Sequence, residues 1–286
     1  MGPRNLRMPT LFWVCLVIGC GPLLMILPFY SQFGRPFVFA PHVWTASMAL
    51  PTAVTMRDGR RLPAMPSLRG LVDPPVALRG QVTLDTSFGR ELNRLAREQD
   101  VRLVLEIGTW YGGGSSWCIA SGLRDSLRDR AKPDKWLLTL EMFEEAWEYA
   151  SRTLSAMPAT CMRAGTVGPA GYLRPDQMTP DDIHSEHFRL YYERDMRLAA
   201  TTRPMLERLC KTYDFDLILI DGNEYTGFAE FEIINRFCRP RYLALHDTGT
   251  LKTRLVEAFL RASAMWAPLS HGMDAAGWAV YRAVES

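Results

Sequence analysis

The sequence predicts an α/β protein built on a mainly parallel sheet with helices on both faces. Two observations carry this. From residue 84 onward, apolar runs alternate with amphipathic stretches of helical period, and the runs are continuous, as strands covered on both faces must be. Directly after several of those runs stand carboxylates or a glycine cluster, at the strand ends where open parallel sheets bind ligands.

Taken in order, Phe88, Leu92, Leu95 and Ala96 share one face of a helix that Asp85 or Thr86 can cap. Leu103 to Ile107 is a strand, and the helix after it runs through about Leu123. "KWLLTLE" and "ATCMRAG" are strands on either side of the helix "FEEAWEYASRTL". "FDLILID" is a strong strand, followed by the helix "GFAEFEIINRFC". "RYLALHD", the helix "LKTRLVEAFLRAS" and a last strand "GWAVYRAV" complete the pattern. Residues 165–204, with "RPDQMTPDDIHSEHF", break the rhythm and form an insertion of the length that lids and binding loops have.

Composition bounds the function. A chain of 286 residues with 48% hydrophobic residues can bury a real core beside an appendage. A net charge of +2 argues against a dedicated nucleic-acid binder, which would show a basic face. The six cysteines lack CxxC spacing and any disulfide framework, so buried free thiols are expected.

The N-terminus is a separate object. After a tail at 1–10, Leu11 to Tyr30 is uncharged and long enough to cross a bilayer as a helix. It is expected to be a single-pass membrane anchor, with an organellar presequence as the alternative, and Arg4 and Arg7 before it favour a cytoplasmic N-terminus by the positive-inside rule. Residues 31–83 are proline-rich and form a linker or arm, and 84–286 form the folded domain.

"VRLVLEIGTWYGGGSS", residues 101–116, sets an acid and a glycine cluster after the first strand. It lacks the lysine of a phosphate-binding P-loop, and Trp110 interrupts the GxGxxG of a dinucleotide fingerprint. A carboxylate at Glu106 would repel a pyrophosphate and suits a cationic ligand, while the glycines let backbone approach it closely.

This stretch resembles motif I of the class I S-adenosylmethionine-dependent methyltransferases, and within them the small-molecule O-methyltransferases of the catechol, macrocin and cephalosporin-pathway kind. The resemblance covers residues 84 to 284 and rests on ordered motifs: "EIGTWYGGGSS", "LLTLE", "LILIDGNEY", "YLALHDTG" and "GWAVYR". It implies a Rossmann-like sheet of seven strands and S-adenosylmethionine as cofactor. The cofactor residues it implies are Glu106, Gly108, Thr109, Trp110, Tyr111, Gly112, Gly113, Ser115, Glu141, Met142 and Asp221, with Glu141 accepting the two ribose hydroxyls.

Transfer to a hydroxyl needs a base or a metal that acidifies it. The metal-dependent relatives hold a divalent cation at two strand-end carboxylates, here Asp221 and Asp247, which implies Mg²⁺. The match is imperfect, because His246 precedes Asp247 and Thr248 follows it. Without a metal, one carboxylate must be protonated or paired with a cation, and His246 must be the base; Glu224, three residues after Asp221, is the other candidate. His184 and His187 have HxxH spacing in a polar insertion and are expected on a solvated loop. The expected acceptor is a small or glycan-like hydroxyl compound. The competing readings are a nicotinamide-dependent oxidoreductase and a membrane-tethered S-adenosylmethionine-binding module without chemistry.

Overall fold

The computed structural model describes residues 80–127, 134–274 and 276–284. Seven strands form one sheet: β1 (Leu103–Ile107), β2 (Trp136–Glu141), β3 (Ala159–Arg163), β4 (Leu217–Ile220), β5 (Tyr242–His246), β6 (Trp266–Gly272) and β7 (Trp278–Ala283). Their order is β3-β2-β1-β4-β5-β7-β6. The sheet is mixed: β1 to β5 pair in parallel, while β7 runs antiparallel between β5 and β6.

Eight α-helices accompany it among the described residues: α1 (Ser87–Arg97), α2 (Ser115–Ser126), α3 (Glu144–Thr153), α4 (Pro180–His184), α5 (Glu186–Thr201), α6 (Leu206–Thr212), α7 (Gly227–Ile233) and α8 (Arg254–Ala262). Strand alternation splits the core in two. Leu103, Leu105 and Ile107 face one layer with α6, α7 and α8, whereas Val104, Leu217 and Leu219 face the other with Phe88 and Leu92 of α1 and Ile119 of α2. Every residue of β1, β2, β4 and β5 is buried, as strands with two covered faces require. Thr86 caps α1 by accepting from the Gly89 amide at 3.1 Å.

Residues 165–204 fold as a helical insertion. Its neck is closed by a bridge between Gly165 and Pro204, where the Gly165 amide donates to Arg203 O at 3.1 Å. Tyr172 and Ala199 pack on Tyr225 and Leu251, with Phe188, Tyr192 and Met196 around them. His184 and His187 lie on α4 and α5 and not on a loop.

Two expectations are corrected. A single-pass membrane protein is not supported: no helix among the described residues is long and apolar enough to cross a membrane. The longest, α5, has 16 residues and carries Arg189, Arg194, Asp195 and Arg197, against the ~20 apolar residues a span needs. Residues 11–30, like the whole stretch 1–79, lie outside the described residues. The thiols are the second correction, because Cys210 on α6 and Cys238 form a disulfide while Cys118 and Cys161 are free. The partners are 28 residues apart, so no short spacing betrays them; they meet because α6 packs on the π-type turn Ile234–Cys238. A loop of that length gives the crosslink roughly 3–4 kcal/mol in the chain-entropy account.

Candidate active site at the carboxyl edge of the sheet

The carboxyl ends of β1, β2, β4 and β5 open into one cavity of about 1050 Å³. β1 leads into it through Gly108, whose φ of +87° is open to glycine, and a Cβ there would sit 2.2 Å from Asp221 O. The loop therefore presses directly on the end of β4.

Glu141, at the end of β2, organises the other side. Its Oε2 accepts the Trp110 amide at 2.8 Å and its Oε1 the Phe143 amide at 2.8 Å. Both carboxylate oxygens are thus held by the backbone of the loops after β1 and β2, which fixes the carboxylate at the cavity wall. Burial lifts its pKa above the ordinary value, and the backbone amides of Phe143 and Trp110 partly offset that. Gly108, Thr109, Trp110, Tyr111, Ser115, Glu141, Met142 and Asp221 all line the cavity. The cavity, the glycine turn and the Glu141 carboxylate fixed at its wall fit a nucleoside carrying a ribose diol.

Three residues expected at the cofactor do not line the cavity. Glu106 is fully buried, accepting Ser115 Oγ at 2.6 Å and Ser116 Oγ at 2.5 Å. Strand parity explains it: Glu106 follows Val104 onto the face covered by α2, so its carboxyl ties down the start of that helix. Gly112 is absent from the lining because its missing Cβ would meet Ala150 Cα of α3 at 3.0 Å, so its smallness serves helix packing. Gly113 is buried in the same turn and does not line the cavity either.

Beside the glycine loop four charged or titratable groups meet. Asp221 Oδ1 accepts His246 Nδ1 at 2.9 Å and Lys252 Nζ at 3.0 Å. Lys252 Nζ is also 2.6 Å from Asp247 Oδ2. The carboxylate can only accept, so Nδ1 carries the proton and Nε2 of a neutral His246 presents its lone pair. That Nε2 is buried with no hydrogen-bond partner, 3.6 Å from Asp247 Oδ1. Burial opposes charge on all these groups. Lys252 and His246 nonetheless hold Asp221 below the ordinary carboxylate range, and Asp221 and Asp247 raise both His246 and Lys252. Asp247 has a left-handed φ of +55°, uncommon for a residue other than glycine, and after this turn Lys252 returns to its carboxylate. Thr253 Oγ1 locks the turn by donating to His246 O at 2.6 Å.

Asp221, His246 and Asp247 offer atoms within 4.8 Å of one another, close enough to share an ion. The residues present nevertheless do not fit Mg²⁺. The ion needs oxygens at about 2.0–2.1 Å, and the ammonium of Lys252 occupies the space between the two carboxylates. Two cations cannot share it.

The far wall comes from the insertion. The Arg194 guanidinium lies 4.5 Å from the Phe143 ring centre and 4.4 Å from that of Tyr191, joining α5 to the loop after Glu141. Asp195 accepts from Asn223 Nδ2 at 2.5 Å. His187 lines the cavity, with its ring centre 4.6 Å from that of Tyr191. Glu224 also lines the cavity. Glu230 of α7 is fully buried, accepts Thr226 Oγ1 at 2.9 Å and Thr166 Oγ1, and leaves Oε2 unpartnered. Sequence reasoning missed Lys252, Arg194, Asp195 and Glu230. The first three are charged residues in polar stretches that look solvated, and only the fold buries or pairs them.

Glu106 and Glu230 together predict a pH response. Burial lifts each from 4.5 to about 7, partly offset by the serine and threonine hydroxyls. An acid whose folded pKa is raised stabilises the fold fully below its unfolded value, and that contribution is lost as pH rises through about 7. Asp100 and Asp221, with lowered pKa values, are already ionised in both states above pH 5 and do not oppose it. Denaturant unfolding is expected to show more than about 1 kcal/mol lost between pH 5 and 8, reduced in Glu106→Gln. Stability that rises across this window would contradict the burial of neutral acids.

The seven-stranded sheet, its order and its antiparallel β7 give the chain a class I methyltransferase-like fold. No family model matches the sequence, and no curated protein matches it. Among solved structures, a methyltransferase from Geobacter sulfurreducens is 16% identical, with 72% of this chain and 82% of that chain covered and a TM-score of 0.46. An O-methyltransferase from Bacillus cereus in complex with SAH is 17% identical over 71% of this chain and 83% of that one, with a TM-score of 0.45. The O-methyltransferase TomG from Streptomyces achromogenes, involved in tomaymycin synthesis and in complex with SAM, is 19% identical, covering 71% and 82%, with a TM-score of 0.46.

Proposed function

We propose that the chain is an S-adenosylmethionine-dependent methyltransferase acting on the hydroxyl of a small-molecule acceptor, glycan-like or aromatic, with His246 as general base. One observation carries this reading: a single cavity joins the glycine loop and Glu141 to His246, a buried histidine whose Nε2 has no hydrogen-bond partner in the protein. When bound, S-adenosylmethionine supplies a methyl on a positively charged sulfur; the acceptor oxygen takes the methyl, the sulfur keeps the bonding pair, and the hydroxyl proton must leave.

The chain's residues supply the rest. Glu141 accepts the ribose hydroxyls, and the 108–111 turn and Met142 bound the nucleoside. Asp221 holds the His246 ring by its Nδ1–H, leaving Nε2 to take the hydroxyl proton. Against ring burial and the neighbouring Lys252, Asp221 and Asp247 both favour protonated His246, so they assist its proton uptake. The rings of Tyr191, Tyr172 and His187 line the wall from the insertion side and suit a planar or ring-bearing acceptor. Arg194, clamped between rings, keeps α5 over the cavity so that water is excluded when the site fills.

The test is transfer of a radiolabelled methyl from S-adenosylmethionine to a panel of hydroxyl, amine and thiol compounds. Label is expected in ether-linked products of hydroxyl compounds. Label only in amine or thiol products would contradict the acceptor class, and binding with no transfer to any class would leave a binding module.

A further inference from the structure

We propose that the Lys252 ammonium is a built-in cation: it takes the place of a divalent metal between Asp221 and Asp247 and holds the acceptor oxygen beside His246. The part concerning the acceptor rests on the methyltransferase reading; the replacement of a metal does not.

Two independent features point to it. The lysine is inserted between the two strand-end carboxylates, 3.0 Å from Asp221 Oδ1 and 2.6 Å from Asp247 Oδ2, with 14% of its side chain exposed. Two carboxylates this close and mostly shielded from water are costly to keep ionised without a positive charge between them. The second feature is the unpartnered Nε2 of His246, a side chain only 4% exposed, in the same cavity. An ammonium has three donors, and two go to Asp221 and Asp247. The third is left for the oxygen of an acceptor whose proton passes to His246.

The placement has a structural cause. Asp247 turns left-handed at φ +55°, the Thr250 amide closes the turn on Asp247 O at 3.0 Å, and Lys252, five residues after Asp247, comes back to both carboxylates. Gly227 seals this arrangement: a Cβ there would stand 2.0 Å from Lys252 O, so the start of α7 is packed against the lysine's own backbone. The cation is therefore held by the fold and not by solution equilibrium. It stabilises negative charge developing on the acceptor oxygen, as a metal would, but offers one unit of charge and directional N–H donors.

Mn²⁺ is the probe, followed by electron paramagnetic resonance and by thermal shift, neither of which needs cofactor or acceptor. The wild-type chain is expected to bind no Mn²⁺ at this site and to show no Mn²⁺-dependent shift. Lys252→Ala vacates the cation position, so Mn²⁺ affinity should rise by more than about tenfold and the ion should stabilise the variant. Lys252→Ala/Asp247→Asn should lose that gain. If Lys252→Ala does not fold alone, Lys252→Met keeps the packing and carries the same expectation. Tight Mn²⁺ binding by wild type that Asp247→Asn abolishes would overturn the proposal, as would Mn²⁺ affinity unchanged by the removal of Lys252. Absence of S-adenosylhomocysteine binding would sink the methyltransferase reading and leave these metal outcomes standing.

Discussion

His246→Gln is expected to lower kcat by about 10²–10⁴-fold while leaving S-adenosylhomocysteine affinity within a few-fold of wild type. Asp221 fixes Nδ1 as the donor at 2.9 Å, and Nε2 has no hydrogen-bond partner in the protein. Glutamine keeps a polar head at a similar reach but has no basic nitrogen to receive a proton. Phe88 stacks on the imidazole at 5.5 Å between ring centres and on Trp278 at 5.1 Å, so the substituted side chain stays bounded by the same wall. Steady-state kinetics with the acceptor found by the transfer assay, alongside calorimetry, separates the two effects. A kcat within a factor of a few of wild type would remove His246 as base and turn attention to Glu224.

Gly108→Ala has the largest expected effect on the fold. Its Cβ would stand 2.2 Å from the Asp221 carbonyl oxygen and 2.8 Å from Gly222 Cα, both backbone atoms that no rotamer change can move aside. Overpacking of this kind costs about 1–3 kcal/mol, and a non-glycine residue at φ +87° adds a cost of similar size. The strain falls at the end of β4, so Asp221 shifts and its contacts with His246 and Lys252 loosen. Denaturant unfolding of the variant should show the loss, with cofactor binding weakened as well. Wild-type stability would mean that the β1–β4 junction is more pliable than this packing implies.

Much of the fold is legible in the sequence, because β1, β2, β4 and β5 are buried on both faces and therefore appear as unbroken apolar runs. β6 is not. It is an edge strand of mixed burial, "WAPLSHG", interrupted by Pro268 and an irregular register, so it shows neither a continuous run nor clean alternation. The candidate site divides the same way. Strand-end residues such as Glu141, Asp221, His246 and Asp247 are visible because position along the strand places them. For Glu106 motif order says nothing about which face a strand residue takes, and parity turns it toward α2. Lys252 is hidden for another reason. It belongs to a turn of polar residues, and it meets the carboxylates only after the left-handed turn at Asp247. The Cys210–Cys238 bond likewise depends on helix packing between distant segments.

The central claim is that the cavity at the carboxyl edge binds an S-adenosyl ligand through the glycine turn and Glu141, and calorimetric titration with S-adenosylhomocysteine tests it most directly. One site per chain is expected, with no comparable binding of NAD⁺. Glu141→Ala should weaken it by well over tenfold, since each lost hydrogen bond to a charged acceptor is worth roughly 1.5–3 kcal/mol before water compensates. No heat and no thermal shift with S-adenosylhomocysteine, or binding of NAD⁺ in its place, would contradict the account.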